Sequence, residues 1–122
     1  ANSCLKPLVS CDGMAITTVE GVGTERKGCH PIQERFAGNH AMQCGFCTPG
    51  MVMNAYALLK ENGKPTAEQC MSSYDGNICR CTGYRNLVNV SETFAKDASR
   101  ECTELAAKFT PFDADVEKLA QE

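Results

Sequence analysis

The sequence lacks the patterns that would place the chain in a membrane or on a nucleic acid. No stretch approaches the roughly 18 consecutive apolar residues that a membrane-spanning helix requires, and the polar start of the chain does not resemble a signal peptide. Its 12 lysine and arginine residues are outnumbered by 15 acidic residues, and the net charge of −3 argues against a nucleic-acid surface. We therefore expect a cytoplasmic protein that contacts neither a membrane nor a nucleic acid.

The usual signatures of side-chain catalysis are also missing. The sequence contains no Ser-His-Asp arrangement, no paired catalytic carboxylates and no glycine-rich phosphate loop, so we expect no bond-making catalysis by its side chains. A Rieske-type centre would need Cys-x-His pairs, and neither His30 nor His40 follows a cysteine in that way. His30 is instead interpreted as a helix cap or a surface residue.

Cysteine, by contrast, is abundant, with nine residues in 122. The odd count and the lack of an export signal argue against a disulfide scaffold. Four cysteines form two close pairs, Cys44 with Cys47 and Cys79 with Cys81, and a disulfide across the one-residue gap of the second pair would be strained. Two such thiol pairs predict a metal site with four thiolate ligands. The other cysteines, apart from Cys4, are interpreted as free thiols: Cys11, Cys29, Cys70 and Cys102.

The sulfur pattern alone does not choose between a zinc ion and a two-iron cluster. A zinc ribbon normally repeats one two-residue knuckle, so the unequal gaps of the two pairs favour iron and sulfur. An extended Cys-Arg-Cys backbone presents both side chains on one face. On this ground Cys79 and Cys81 are expected to bind one iron, and Cys44 and Cys47 the other.

The pattern of apolar residues and caps predicts a mainly α fold, a four-helix bundle preceded by a short β remnant of a ferredoxin-like domain. A strand is expected over residues 14–19. Thr48 is expected as the N-cap of the second helix, and Thr66 and Gln69 form a capping box for the third. The four helices are expected over residues 31–37, from 49 to about 62, over a short segment from 67, and over 84–98.

Each cysteine pair directly precedes a predicted helix. Unpaired N–H groups and the helix dipole favour negative charge at a helix N-terminus. Two helix ends facing an anionic thiolate cluster would offset part of its charge.

Two segments, Gln43–Gly50 and Cys79–Arg85, closely resemble the molybdenum hydroxylase family, which includes xanthine dehydrogenase and aldehyde oxidase. The segments His30–Arg35, Gly38–Met42 and Thr17–Gly21 also resemble that family. The resemblance runs from about residue 2 to residue 98 and implies that Cys44, Cys47, Cys79 and Cys81 ligate a [2Fe–2S] cluster in a helical domain.

The same resemblance implies three further site assignments. Gln43 and Cys81 match residues that contact the molybdopterin of the family's molybdenum cofactor. Cys4, in Asn2-Ser3-Cys4-Leu5, matches the last ligand of a second [2Fe–2S] cluster, whose other ligands the chain does not contain.

The resemblance also implies an organisation into three parts. Residues 1–23 would be the end of a plant-type ferredoxin domain, residues 24–98 the helical cluster domain, and residues 99–122 a linker with weak helical character towards a flavin domain. The expected function is an electron relay from the molybdopterin centre towards a second cluster and FAD, in a parent enzyme that hydroxylates a purine or an aldehyde. The expected partners are the molybdenum-cofactor and flavin domains of that enzyme, which would be a homodimer.

Two alternatives remain open from the sequence. One is a binding module stabilised by zinc on the four cysteines. The other is an inactive fragment of the enzyme.

Overall fold

The computed structural model describes residues 3–112 and is built almost entirely from helices. Two 3₁₀ turns, Ser3–Leu5 and Leu8–Cys11, precede the helices. The helices are α1 (Val19–Val22), α2 (Pro31–Gly38), α3 (Thr48–Glu61), α4 (Ala67–Ser72), α5 (Arg85–Glu92) and α6 (Arg100–Ala106). Within residues 3–112 the only extended pairing is one isolated bridge between Thr24 and Gly28. The predicted mainly α fold is confirmed. Among residues 3–112, no helix is long and apolar enough to cross a membrane.

The strand predicted over residues 14–19 is wrong. Residues 14–18 have no regular secondary structure, and Val19 begins α1. A strand requires a neighbour for its backbone hydrogen bonds, and no other described segment pairs with these residues. Their β-branched side chains are therefore not sufficient to form a strand here.

Helix α2 begins with a reciprocal cap on His30. The Ile32 N–H donates to His30 Nδ1 over 3.1 Å, and the His30 N–H donates to Gln33 Oε1 over 2.9 Å. Pro31 occupies the first helical position, where its missing N–H costs nothing. Of the two roles predicted for His30, helix cap or surface residue, the structure confirms the helix cap.

Helix α3 begins at Thr48 as predicted, but the prediction that Thr48 is the N-cap is wrong. Cys47 occupies the N-cap position, and its carbonyl accepts the N–H of Met51 over 3.1 Å. One predicted cluster ligand is thus built into the start of a helix. The sequence places Met51, Val52, Ala55, Leu58 and Leu59 at helical spacing, and all of them are buried except Leu58, which is half-buried.

Helix α5 ends at Glu92, six residues before the predicted end at Ala98. The following segment turns back to hold the start of α4, because Asp97 Oδ1 accepts the N–H of Ala67 over 2.7 Å. The N–H of Lys96 also donates to the Pro65 carbonyl over 2.9 Å. These long-range hydrogen bonds compete with continuation of the helix. The capping box of α4 on Thr66 and Gln69 is present as predicted.

Helix α6 lies in the segment that was expected to be a linker. Ser99 caps it, accepting the N–H of Cys102 over 3.3 Å, and the Cys102 side chain is buried. The weak helical character predicted there is therefore a formed helix that packs on α5. Residues 113–122 of the expected linker, which include Val116 and Leu119 as apolar side chains that could dock, lie outside the described residues.

The core lies between α2, α3 and α5. Its largest fully buried side chains include Phe36, Ile32, Met51 and Leu87. Arg35 is also buried, only 4% exposed, and its guanidinium lies 4.0 Å from the centre of the Phe94 ring. Its Nη1 donates to the carbonyl and hydroxyl of Thr93, so the cation is held by hydrogen bonds inside the core.

Candidate metal centre

The two cysteine-containing loops meet on one side of the bundle. The first loop, residues 44–47, leads into α3, and the second, residues 79–81, lies between α4 and α5. The Sγ atoms of Cys44 and Cys81 are 3.5 Å apart. The Cys47 and Cys79 side chains lie close enough that each shifts the pKa of the other. The fold therefore brings the four predicted ligands together in pairs.

Both sulfur contacts join one loop to the other. The sequence-based expectation placed Cys79 with Cys81 and Cys44 with Cys47. The packing of the loops instead places Cys44 beside Cys81 and Cys47 beside Cys79. The Cys79-Arg80-Cys81 segment bends at Arg80 and Cys81 and thus contributes one thiol to each sulfur pair.

The two pairs differ in their exposure to solvent. Cys44 and Cys81 are exposed, whereas Cys47 is half-buried and Cys79 is only 7% exposed. The site accordingly has an outer pair on the surface and an inner pair against the core. Exposed side chains flank the outer pair, and among them Phe46 is 96% and Ile78 is 78% exposed.

Local donors stabilise the thiolate form at one cysteine of each pair. The Phe46 backbone N–H, followed by the Cys81 thiol, lowers the pKa of Cys44. The Thr82 hydroxyl lowers the pKa of Cys79 to about 7. Because thiolates rather than thiols bind metals, these donors favour ligation.

The remaining cysteine of each pair shows the opposite shift. Contact with Cys44 raises the pKa of Cys81, and burial, followed by the Cys79 contact, raises the pKa of Cys47. At Cys81 the shift arises because two thiolates this close repel one another, and at Cys47 the same repulsion adds to the larger effect of burial. A bound cation would remove that repulsion, so the thiol arrangement fits a metal group.

The backbone of the first loop depends on one glycine. Gly45 has φ of +82°, a left-handed conformation that other residues rarely adopt. Its carbonyl accepts the N–H of Thr48 over 3.2 Å. This turn places Cys44 and Cys47 on either side of a tight bend.

Hydrogen bonds around Tyr84 hold the second loop. Tyr84 is the N-cap of α5 and has φ of +66°. The Cys79 N–H donates to the Tyr84 hydroxyl over 2.8 Å, and the Tyr84 N–H donates to Thr82 Oγ1 over 3.3 Å. Sequence reasoning missed this network. The only signal was the Thr-Gly-Tyr run itself, because a left-handed tyrosine has no strong sequence signature.

The sulfur–sulfur distance of the Cys44–Cys81 pair is suited to the coordination of one iron. Tetrahedral coordination with metal–sulfur bonds of about 2.3 Å places two thiolates about 3.8 Å apart. The Cys44–Cys81 separation of 3.5 Å is close to that value. Among residues 3–112, no three His, Cys, Asp or Glu side chains form a group suited to a single metal ion. A two-iron group needs only two protein thiolates on each iron, which is what the two pairs offer.

The other predicted site residues lie at the surface. Gln43 is exposed and directly precedes Cys44. Cys4 is exposed in the first 3₁₀ turn. Of the remaining cysteines, Cys70 and Cys102 are buried, and all nine cysteines are free thiols.

Comparison with known proteins identifies the domain that carries this site. Residues 18–92 match the family model described as "[2Fe-2S] binding domain". The chain belongs to this [2Fe–2S]-binding domain family. All four clustered cysteines lie inside the matched range, and Cys4 lies outside it.

Relatives of this [2Fe–2S]-binding domain include large oxidoreductases. The chain is 55% identical over 96 residues to aldehyde oxidase 1 of Cavia porcellus, covering 79% of the chain and 7% of that protein. It is 50% identical over 97 residues to xanthine dehydrogenase/oxidase of Felis catus, covering 80% of the chain and 7% of that protein. These matches confirm the predicted resemblance to the molybdenum hydroxylases. The chain thus spans a small fraction of the length of these relatives.

A solved structure supports the fold of the [2Fe–2S]-binding domain. Quinoline 2-oxidoreductase from Pseudomonas putida 86 superimposes with a TM-score of 0.67 at 34% identity. The match covers 88% of this chain and 62% of that chain. The described helices therefore adopt a fold that also occurs in an oxidoreductase.

Proposed function

We propose that Cys44, Cys47, Cys79 and Cys81 hold the [2Fe–2S] cluster, with one iron on Cys44 and Cys81 and the other on Cys47 and Cys79. The contact between Cys44 and Cys81, two residues from different loops, is the observation that carries this assignment. The proximity of Cys47 and Cys79, each of which shifts the pKa of the other, supports the second pair. The pairing differs from the one that the sequence suggested.

The chain then acts as the electron-transfer module of a molybdenum hydroxylase of the xanthine dehydrogenase or aldehyde oxidase type. The cluster, when bound, accepts and releases single electrons. The protein holds the inner thiols against the core, which fixes the position of the site. Its outer thiols, Cys44 and Cys81, are exposed, and this face is the edge at which electrons are exchanged.

The groups that contact this exposed face are proposed from the resemblance to the molybdenum hydroxylases. Gln43 is exposed beside Cys44, and Gln43 and Cys81 are proposed to contact molybdopterin. Cys4 is proposed as the last ligand of a second [2Fe–2S] cluster that passes electrons to FAD. The parent enzyme is proposed to be a cytoplasmic homodimer, with molybdenum-cofactor and flavin domains as partners of this one.

The division of the chain is likewise a proposal. Residues 1–23 would belong to a ferredoxin domain, residues 24–98 to the helical cluster domain, and residues 99–122 to a connection towards the flavin domain. Because α6 packs on α5, that connection would begin as a docked helix rather than as a free linker.

Anaerobic reconstitution of the chain with ferrous iron and sulfide tests the proposed function. We expect visible absorption that dithionite bleaches and that returns on reoxidation in air. A colourless product that is inert to dithionite would support the zinc-stabilised module instead. A protein that binds no metal would support the inactive fragment.

A further inference from the structure

Residues 79–84 form a closed ring of three hydrogen bonds around one of the proposed ligands. The Cys79 N–H donates to the Tyr84 hydroxyl, and the Tyr84 N–H donates to Thr82 Oγ1. Thr82 Oγ1 in turn lies 3.0 Å from Cys79 Sγ. The ring therefore begins and ends on Cys79.

The direction of the last hydrogen bond depends on whether the Cys79 sulfur carries a proton. A hydroxyl group has one hydrogen to donate and two lone pairs with which to accept. Thr82 Oγ1 accepts the Tyr84 N–H through one lone pair, which leaves its hydrogen available to the sulfur. A ligating thiolate carries no proton, so Thr82 must be the donor in the metal-bound protein.

The backbone keeps the hydroxyl in this place. Gly83 has φ of +65° and Tyr84 has φ of +66°, so two consecutive left-handed residues reverse the chain directly after Thr82. The second left-handed residue is a tyrosine, whose strain must be offset by its surroundings. The two hydrogen bonds of Tyr84 to Thr82 and Cys79 supply such an offset.

We propose that Thr82 is a positioning residue that donates a hydrogen bond to the Cys79 sulfur and thereby raises the reduction potential of the cluster. This inference rests on the proposed function, because it requires a cluster on Cys79. Reduction adds one electron and one negative charge to the cluster. A donor to a ligand sulfur stabilises the reduced form more than the oxidised form, which makes reduction easier.

The experiment compares midpoint potentials of four reconstituted chains of residues 1–122 by EPR-monitored dithionite titration. These are the unmodified chain, Thr82→Val, Thr82→Ser and Thr103→Val. Valine keeps the shape of threonine without the donor, whereas serine keeps the donor. Thr103→Val is the matched control. The Thr103 hydroxyl donates to the carbonyl of Ser99, the N-cap of α6, away from the cysteine loops.

We expect Thr82→Val to lower the equilibrium constant for reduction by about fivefold to tenfold, where tenfold corresponds to 59 mV for one electron. Thr82→Ser and Thr103→Val should stay within about twofold of the unmodified chain, the residual expected for changes that keep or do not touch the donor. An unchanged potential in Thr82→Val would overturn the inference while leaving the proposed function intact.

Two further outcomes are also decisive. If Thr82→Val and a smaller Thr82→Ala both fail to take up a cluster while Thr82→Ser succeeds, the hydroxyl serves assembly and the tuning role is wrong. If the unmodified chain takes up no cluster, the proposed function itself fails, and the inference fails with it.

Discussion

The sulfur atoms of Cys44 and Cys81 lie 3.5 Å apart, although 37 positions of sequence separate the two residues. The contact depends on the packing of α2, α3 and α5, which brings the loop before α3 to the loop before α5. Cys47 and Cys79, which are less exposed, also lie close enough to shift each other's pKa. The site is thus a product of tertiary structure, with each thiol pair closed only when the bundle is folded.

Mild oxidation of the metal-free chain should join Cys44 to Cys81. Diamide takes up the two electrons and two protons that the thiols release, and the lowered pKa of Cys44 supplies the attacking thiolate. Peptide mapping by mass spectrometry should find the Cys44–Cys81 disulfide as the main product. A main product within one loop, Cys44–Cys47 or Cys79–Cys81, would contradict the described packing, and prior cluster loading should suppress the reaction.

Replacing any one of the four proposed ligands by serine should impair cluster binding. A hydroxyl is a far poorer ligand than a thiolate at neutral pH, so we expect most of the visible absorption to be lost in Cys79→Ser and Cys81→Ser. Cys29→Ser is the matched control, because Cys29 is an exposed free thiol outside both loops. Unaltered absorption in both loop variants would show that the ligands have been assigned wrongly.

Arg35→Ala should destabilise the domain far more than a surface arginine substitution. The Arg35 guanidinium is buried, its pKa is lowered by that burial to about 10, and it donates to the Thr93 and Thr110 carbonyls. Removing it leaves buried acceptors unpaired, so we expect a loss of about 2–4 kcal/mol in the free energy of unfolding. Urea denaturation provides the measurement.

Arg100→Ala is the control for that substitution. Arg100 forms an exposed ion pair with Glu104 one turn along α6, and such pairs contribute less than about 0.5 kcal/mol. Equal effects of the two substitutions would mean that Arg35 does not act as a buried anchor.

Stability should fall as the pH rises from about 9 to about 11, in part through Cys70. Burial raises the pKa of this thiol from its ordinary 9.0 to about 11. The folded state therefore retains a proton that the unfolded state releases, and the free energy of unfolding decreases across that interval. Urea denaturation under reducing conditions should give a smaller decrease in Cys70→Ala. Tyr74, whose pKa is raised by burial to about 12, acts in the same direction from about pH 10 upwards.

Local signals explain most of what the sequence predicts correctly. The capping box of Thr66 and Gln69 and the proline at the start of α2 act within one turn of helix, so they can be read without knowing the fold. The predicted strand over residues 14–19 failed because a strand depends on a distant partner. The prediction that α5 continues to residue 98 failed for a similar reason. Asp97 forms a hydrogen bond with the start of α4 and does not continue the helix.

The candidate site also has a part that the sequence predicts and a part that it does not. The identity of the four cysteines follows from their spacing and from the resemblance of their motifs. Their cross-loop pairing does not, because it depends on how α2 packs against both α3 and α5. The contact between Thr82 and Cys79 likewise requires a left-handed Tyr84. Hydrogen bonds that cannot be predicted from the sequence set this conformation.

The metal and sulfide content of the reconstituted chain tests the central claim most directly. Iron, zinc and acid-labile sulfide should be measured on the same purified sample, together with EPR of the dithionite-reduced form. A [2Fe–2S] centre on the four cysteines predicts iron and labile sulfide in equal amounts and a paramagnetic signal on reduction. One zinc per chain with no labile sulfide would contradict the account.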